Sequence, residues 1–322
     1  MADDNDPAQR PPSPAMPVPT GAKPADPQAA ARRAQDTASS TVTSPGGPKT
    51  PKAGRNLPAA IAVGVGLGAL CLITLFWRRE LFAVLLMIAV AQGIRELVTS
   101  LRSRQLHVPM IPLQIGSVGM AVSAFVGGPQ AMFYAFVLTC LAVLAWKVLD
   151  AHGGATVRDA AAGVFVAAYV PYLAGFAVLM LAEPDGQWRI VTMIAIPVFS
   201  DIGGYIFGVL WGKHPMAPSV SPKKSWEGLA GSLLFGVLTG VVCVVFGING
   251  PWWAGVIVGI CAVITGVLGD LSESLLKRDL GIKDMGDILP GHGGVLDRID
   301  SLLPTAPVMY LLLAILAPAG LG

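Results

Sequence analysis

A chain of 322 residues that is 53% hydrophobic and 13% charged, with a mean hydropathy of +0.64, cannot clothe a soluble globule in charge, because soluble domains carry about 25% charged residues. The formal net charge of +2 is too small to call for a nucleic-acid partner. Cys71, Cys140, Cys243 and Cys261 stand far apart inside apolar runs without CxxC or Cys/His spacing, as small packing residues do, rather than a disulfide framework or a zinc site.

Residues 1–56 are rich in Pro, Ala, Ser, Thr and charged side chains and hold 12 of the 42 charges. They lack the apolar surface needed to offset chain entropy, so the reading is a disordered tail. No apolar core follows a short basic start, which argues against a secretory leader.

Beyond the tail, apolar stretches of membrane-crossing length recur, at roughly 57–77, 81–98, 108–126, 130–149, 160–182, 190–211, 226–248, 252–270 and 302–320. Each approximates the ~20 residues that cross a hydrocarbon core as a helix. The expected fold is therefore all-α and polytopic, with about nine transmembrane helices. It divides into N-terminal helices over 57–182 and a C-terminal region, 183–322, that carries the motifs. Gly64 and Gly68 have GxxxG spacing, a weak pointer to close helix packing.

With nine spans and the tail inside, the connections 95–107, 147–159, 212–225 and 271–301 carry twelve Lys and Arg residues, against Arg78, Arg79 and Arg189 on the other side. That asymmetry follows the positive-inside rule and predicts a cytoplasmic tail and cytoplasmic long loops, with Arg78-Arg79 the one awkward turn.

The acids of interest lie in or near the two longest inside connections. Asp201 lies mid-span beside Gly203-Gly204. Asp270 and Asp297 stand at the two mouths of the last loop. A carboxylate at lipid depth must be paired or bound to a cation. Hard oxygen donors of this kind suit Mg²⁺. Ser221 or Ser225 would cap the following helix, with Lys223 and Lys224 beside that end to attract phosphate. His292-Gly293-Gly294 makes a turn that a bulky nucleotide can approach. Blander readings stand beside these. Asp297, Arg298 and Asp300 could form an interfacial salt-bridge cluster, Asp201 an ion site of a transporter, and Lys223 and Lys224 orientation anchors. Glu273 and Asp279 read as solvated or pairing residues, and His107, His152 and His214 as interfacial.

At these residues the sequence resembles the phosphatidate cytidylyltransferase (CDP-diacylglycerol synthase) family. The matching pattern runs from Ser274 through Lys277-Arg278, Lys283-Asp284 and Leu289-Pro290-Gly291-His292-Gly293-Gly294 to Asp297-Arg298 and Asp300. Upstream blocks at Ser200-Asp201, Ser221 to Gly228 and Gly269-Asp270-Leu271 are similar too. The resemblance implies that phosphatidic acid and CTP yield CDP-diacylglycerol and pyrophosphate. It implies Mg²⁺ on Asp270 and Asp297, with Asp201, Asp284 and Asp300 available to a second cation such as K⁺. Lys277 and Arg298 would join the two acids in catalysis. Lys224, Arg278 and Lys283 would hold phosphates, with Ser221, Ser225 and His292 as polar helpers. It further implies a plasma-membrane enzyme with its site at the inner leaflet, and a homodimer. Competing readings are a CTP-using enzyme with another lipid acceptor, a polyprenol kinase relative, an ion-coupled transporter and an inactive scaffold.

Overall fold

The computed structural model describes residues 57–150, 156–217, 221–286, 288 and 293–319, with side chains from residue 64 onward and excluding those of 156, 217 and 221–223. The tail, His152 and His292 lie outside the described residues, as do the side chains of Ser221 and Lys223.

In chain order the helices are α1 (Leu57–Trp77), α2 (Arg79–Arg102), α3 (Met110–Leu149), α4 (Thr156–Ala167), α5 (Leu173–Ala182), α6 (Gly186–Trp211), α7 (Trp226–Val242), α8 (Trp252–Leu280), α9 (Leu296–Ile299) and α10 (Leu302–Leu316). A π-helical stretch, Ala168–Tyr172, joins α4 to α5, and another, Cys243–Gly247, extends α7. Pro171 explains the first: proline has no N–H to donate and crowds the preceding turn, and widening the helix locally relieves both. Among the described residues, seven helical segments are long and apolar enough to cross a membrane.

At 40 residues, α3 would be roughly 60 Å long if straight, twice a hydrocarbon core. It is not straight. Gly128 adopts φ 73° and ψ −167°, backbone closed to most side chains, and Pro129 follows it. The chain doubles back there, so that a side chain placed on Gly116 would run into Thr139. The element is a helical hairpin, as the separate apolar stretches 108–126 and 130–149 anticipate.

Helices α6, α7 and α8 form the closest-packed part of the bundle. Gly203 of α6 and Gly231 of α7 face each other so closely that a Cβ on either would lie 2.5 Å from the other's carbonyl oxygen. Gly240 of α7 meets Gly255 of α8 in the same way. Without a hydrophobic driving force between helices in lipid, such backbone approach supplies the packing. Ser232 adds a hydroxyl hydrogen bond of 2.9 Å to the carbonyl of Ser200, one residue before Asp201. By contrast, a Cβ on Gly68 in α1 would meet nothing within 4 Å among the described residues, so that glycine is not spent on packing against them.

Two of the three arginines assigned to the outer side have structural partners at the end of the bundle away from the motif loops. Arg189 is buried, donating to Asp185 and to the carbonyl of Ala317 at 2.7 Å each. Arg79 reaches Glu80 and the carbonyl of Ala182. At the other end Lys147 is also structural, bonded to Asp159 at 3.0 Å and to the carbonyl of His107. The connection after α6 is not plain loop but a short antiparallel pair, β1 (Pro215–Ala217) with β2 (Ser221–Ser225).

Gly231→Val should destabilise the protein by about 1–3 kcal/mol or more through forced separation of α6 and α7. Gly68→Val should leave thermal unfolding in detergent unchanged.

Candidate functional site

The site is assembled at the ends of α6, β2, α8 and α9. The glycine contacts hold α6 and α8 against α7. Ser225 ends β2 and caps α7, its hydroxyl accepting the N–H of Gly228 at 3.1 Å. The cap fixes the turn that carries Lys224. Helix α8 continues past lipid depth to Leu280, which brings Asp270, Glu273 and Lys277 round one side of its last three turns.

These elements enclose a polar cavity of about 240 Å³. Its walls include Asp201, Asp270, Asp284, Asp297 and Asp300, together with Lys224, Lys277 and Arg298. The five aspartates expected as cation ligands therefore reach one space from three parts of the chain. An adjoining cavity of about 410 Å³ shares Asp201 and Lys224 and extends past Ser225, Tyr205 and Met216. Arg278 and Lys283 are exposed and line neither.

Asp270, Asp297 and Asp300 have distinct partners. Asp270 is ion-paired with Lys224 of β2. Asp297 accepts Lys277 Nζ at 2.9 Å through one oxygen; through the other it accepts the backbone N–H groups of Met285 at 3.0 Å and Gly294 at 2.8 Å. Asp300 accepts the N–H of Ser301 at 2.6 Å. Asp297 thus organises the loop as well as facing the cavity.

Of the two roles expected for Glu273, solvated or pairing, the structure shows the second. It is 0% exposed, its two carboxylate oxygens have no hydrogen-bond partner in the structure, and Lys277 Nζ lies 3.6 Å away. Lys277 therefore stands between two buried acids one turn apart on α8 and across on α9.

Glu96 was not singled out in the sequence. It lies 4% exposed on α2, and its oxygens accept the N–H groups of Val295 at 3.0 Å and Leu296 at 2.8 Å, with Gln92 also donating at 3.1 Å. A Cβ on Gly294 would sit 2.5 Å from Glu96 Oε2, so glycine there lets the loop close onto the carboxylate. The signal for Glu96 was present: an acid in an apolar segment of α2, the same argument that selects Asp201.

The donor set fits a hard divalent cation. Among the described residues, no three His, Cys, Asp or Glu side chains converge as a ready-made cage. Mg²⁺ does not need one, since it commonly takes one or two carboxylates and fills its shell with water and substrate phosphates. Asp270 and Asp297, both on the cavity wall, suit that pattern.

Comparison with known proteins gives a consistent picture. A family model described as the cytidylyltransferase family matches residues 58–316. The chain is 42% identical over 285 residues to the phosphatidate cytidylyltransferase of Mycobacterium leprae, covering 83% of this chain and 90% of that protein. It is 38% identical to the enzyme of that name from Mycobacterium bovis, over 83% of this chain and 92% of the other. A Staphylococcus saprophyticus protein of the same name is 40% identical over 156 residues, 48% of this chain and 59% of that one.

Glu96→Ala strands one buried and one half-buried N–H group and should cost about 1–3 kcal/mol; Glu96→Gln, which retains one acceptor oxygen, should cost less. Thermal unfolding in detergent and protease sensitivity after α8 measure both. Lys277→Met removes the cation shared by two buried acids and should cost about 3–5 kcal/mol. Adding Glu273→Gln should recover part of that loss, and an additive double variant would show the two side chains to be uncoupled.

Proposed function

Because the chain belongs to the cytidylyltransferase family, we infer that it transfers the cytidylyl group of CTP to phosphatidate, forming CDP-diacylglycerol and releasing pyrophosphate. The observation that carries this reading is the shared cavity. Residues from 201 to 300 in sequence bring acids and cations together where a triphosphate and a phosphate monoester can meet.

In the reaction, an oxygen of the phosphatidate phosphate attacks the α-phosphorus of CTP. The bond from that phosphorus to the bridging oxygen of the β-phosphate breaks, and the electron pair leaves with pyrophosphate. No protein nucleophile is required, because the attacking phosphate is already ionised near neutral pH. The protein's contribution is then position and charge. Lys224 and Lys277 are flexible cations held on cavity carboxylates, within reach of phosphate oxygens placed between them. Arg298 presents a planar fork suited to bidentate phosphate contact. Mg²⁺ held by Asp270 and Asp297 would neutralise the negative charge that gathers on the triphosphate. Asp201, Asp284 and Asp300 leave oxygen donors for a second cation such as K⁺.

In this reading the hairpin counts as two passes and α1 as one, giving nine. The motif loops face the cytoplasm, where CTP is found, and the protein resides in the plasma membrane as a homodimer. The twelve-to-three distribution of basic residues supports the orientation.

Purified protein given CTP, phosphatidate and Mg²⁺ should release pyrophosphate and form a cytidine-bearing lipid; absence of both products would remove the reading. Asp270→Asn should lower turnover by ~10²-fold or more. It should also weaken binding of Mn²⁺ used as a spin probe for Mg²⁺, with the unfolding temperature retained. A cysteine placed at Lys283 should be labelled by an impermeant maleimide only from the cytoplasmic side, and one at Asp185 only from the other.

A further inference from the structure

An elongated apolar groove of about 560 Å³ runs beside the polar cavity, between α1, α2, α6 and the start of the last helical segment. Its floor includes Phe82, Leu85, Leu86 and Met193. Its rim is open: Leu67, Ile88 and Ile288 are 40%, 62% and 57% exposed. One end differs from the rest, for Gln92, Arg95 and Arg298 gather there. From Phe82 to Arg95 is thirteen residues of helix, roughly 20 Å at ~1.5 Å per residue, which is enough to cross one leaflet of a ~30 Å hydrocarbon core.

Three features make this groove more than ordinary lipid-facing surface. Arg298 lines both the groove and the reaction cavity, so the two spaces meet at one guanidinium. Arg95 and Arg298 are both exposed, and among the described residues neither forms an ion pair with a carboxylate. The nearest acid in sequence, Glu96, is turned inward and spent on Val295 and Leu296. Two guanidiniums without a close ion pair at the end of an apolar channel suit an anion attached to a hydrocarbon, and phosphate monoesters are what paired arginines hold best.

We propose that this groove is the binding site of the lipid substrate, with its phosphate monoester held between Arg95 and Arg298 and an acyl chain lying along α2 towards Phe82. The assignment rests on the cytidylyltransfer reading and adds to it the place and direction of lipid access. The phosphate sits where Arg298 can hand it to the polar cavity, while the chain never leaves the bilayer. A lipid whose phosphate is esterified to a bulky choline fits this end poorly, because the second ester removes one negative charge and covers one face of the phosphate.

Two measurements test it, both on the full-length protein. In mixed micelles with phosphatidate varied as a mole fraction, Arg95→Ala should raise the apparent KM for phosphatidate ~10-fold or more. The KM for CTP and kcat at saturating lipid should stay near wild type. Arg95→Lys should fall between, and Ala89→Trp, which fills the groove without touching charge, should raise the same KM. An unchanged phosphatidate KM in Arg95→Ala overturns the proposal. Independently, a phosphatidate carrying a photoreactive group in its acyl chain should label peptides around Leu85–Ala91 and Met193–Ile194, well above a phosphatidylcholine carrying the same group. Equal labelling by the two lipids, labelling centred on Tyr205 and Met216, or cross-linking of the groove to a second copy of the chain would each sink it. Should wild type form no cytidine-bearing lipid, the transfer reading fails, and the labelling still decides the groove as a lipid phosphate site.

Discussion

A single buried carboxylate, Glu96, fixes the place of the motif loop. The loop between α8 and α10 is polar, glycine-rich and long, and α9 is a single turn, too short to position itself. Glu96 supplies what the loop lacks. It accepts two successive backbone N–H groups at the start of α9 and so sets that turn's orientation against α2. Asp297 then faces inward to Lys277, and Arg298 outward to the groove. The contact joins residues about two hundred apart in sequence. Helices that read as a generic membrane half therefore help to build the site.

Two of the five cavity aspartates are paired with lysines before any substrate arrives. Asp270 has Lys224, while Asp297 has Lys277 and two backbone donors. Removing charges from water is tolerable only with such partners. The arrangement is also adaptable, since Asp270 and Asp297 are each matched by a lysine on a long stem rather than by a rigid fork. Polyanions bring further negative charge into this space, and the lysines can turn towards it without leaving the cavity. Glu273 is the member that this pairing serves least, its only close cation being shared with Asp297.

Much of this was legible in the sequence, for identifiable reasons. Apolar length marks membrane helices because lipid imposes it. The hairpin at Gly128-Pro129 shows as a gap between two apolar stretches. The cavity acids stand out because a carboxylate among apolar residues must have a purpose, and their arrival in one cavity is what the motif spacing suggested. Other features were hidden. Ser225 could be read as a cap, yet nothing local reveals that Lys224 would pair with Asp270, because that depends on how closely α6, α7 and α8 approach. Glu273 read as solvated or pairing because its neighbours in sequence are polar, and its full burial is a matter of tertiary packing that those neighbours do not reveal. Glu96 obeyed the same rule as Asp201, but its position near the end of a span disguised it as an interfacial charge.

The arrangement of cavities follows from a mismatch between reactants. A nucleoside triphosphate carries several charges and cannot enter hydrocarbon, whereas a diacyl lipid cannot leave it. Chemistry between them is confined to a thin zone, and the protein must present a water-accessible cationic space beside an apolar channel without mixing the two. On one side the glycine contacts of α6, α7 and α8 bring those helices close together. On the other side the wall is the α9 turn, held by Glu96, with Val295, Ile299 and Leu302 turned to the groove and Asp297 and Asp300 to the cavity. A four-residue helix suffices for that partition because alternate faces of one turn point in opposite directions. Arg298 lies where the faces meet, and its apolar stem and charged head suit a boundary position better than any shorter cation would.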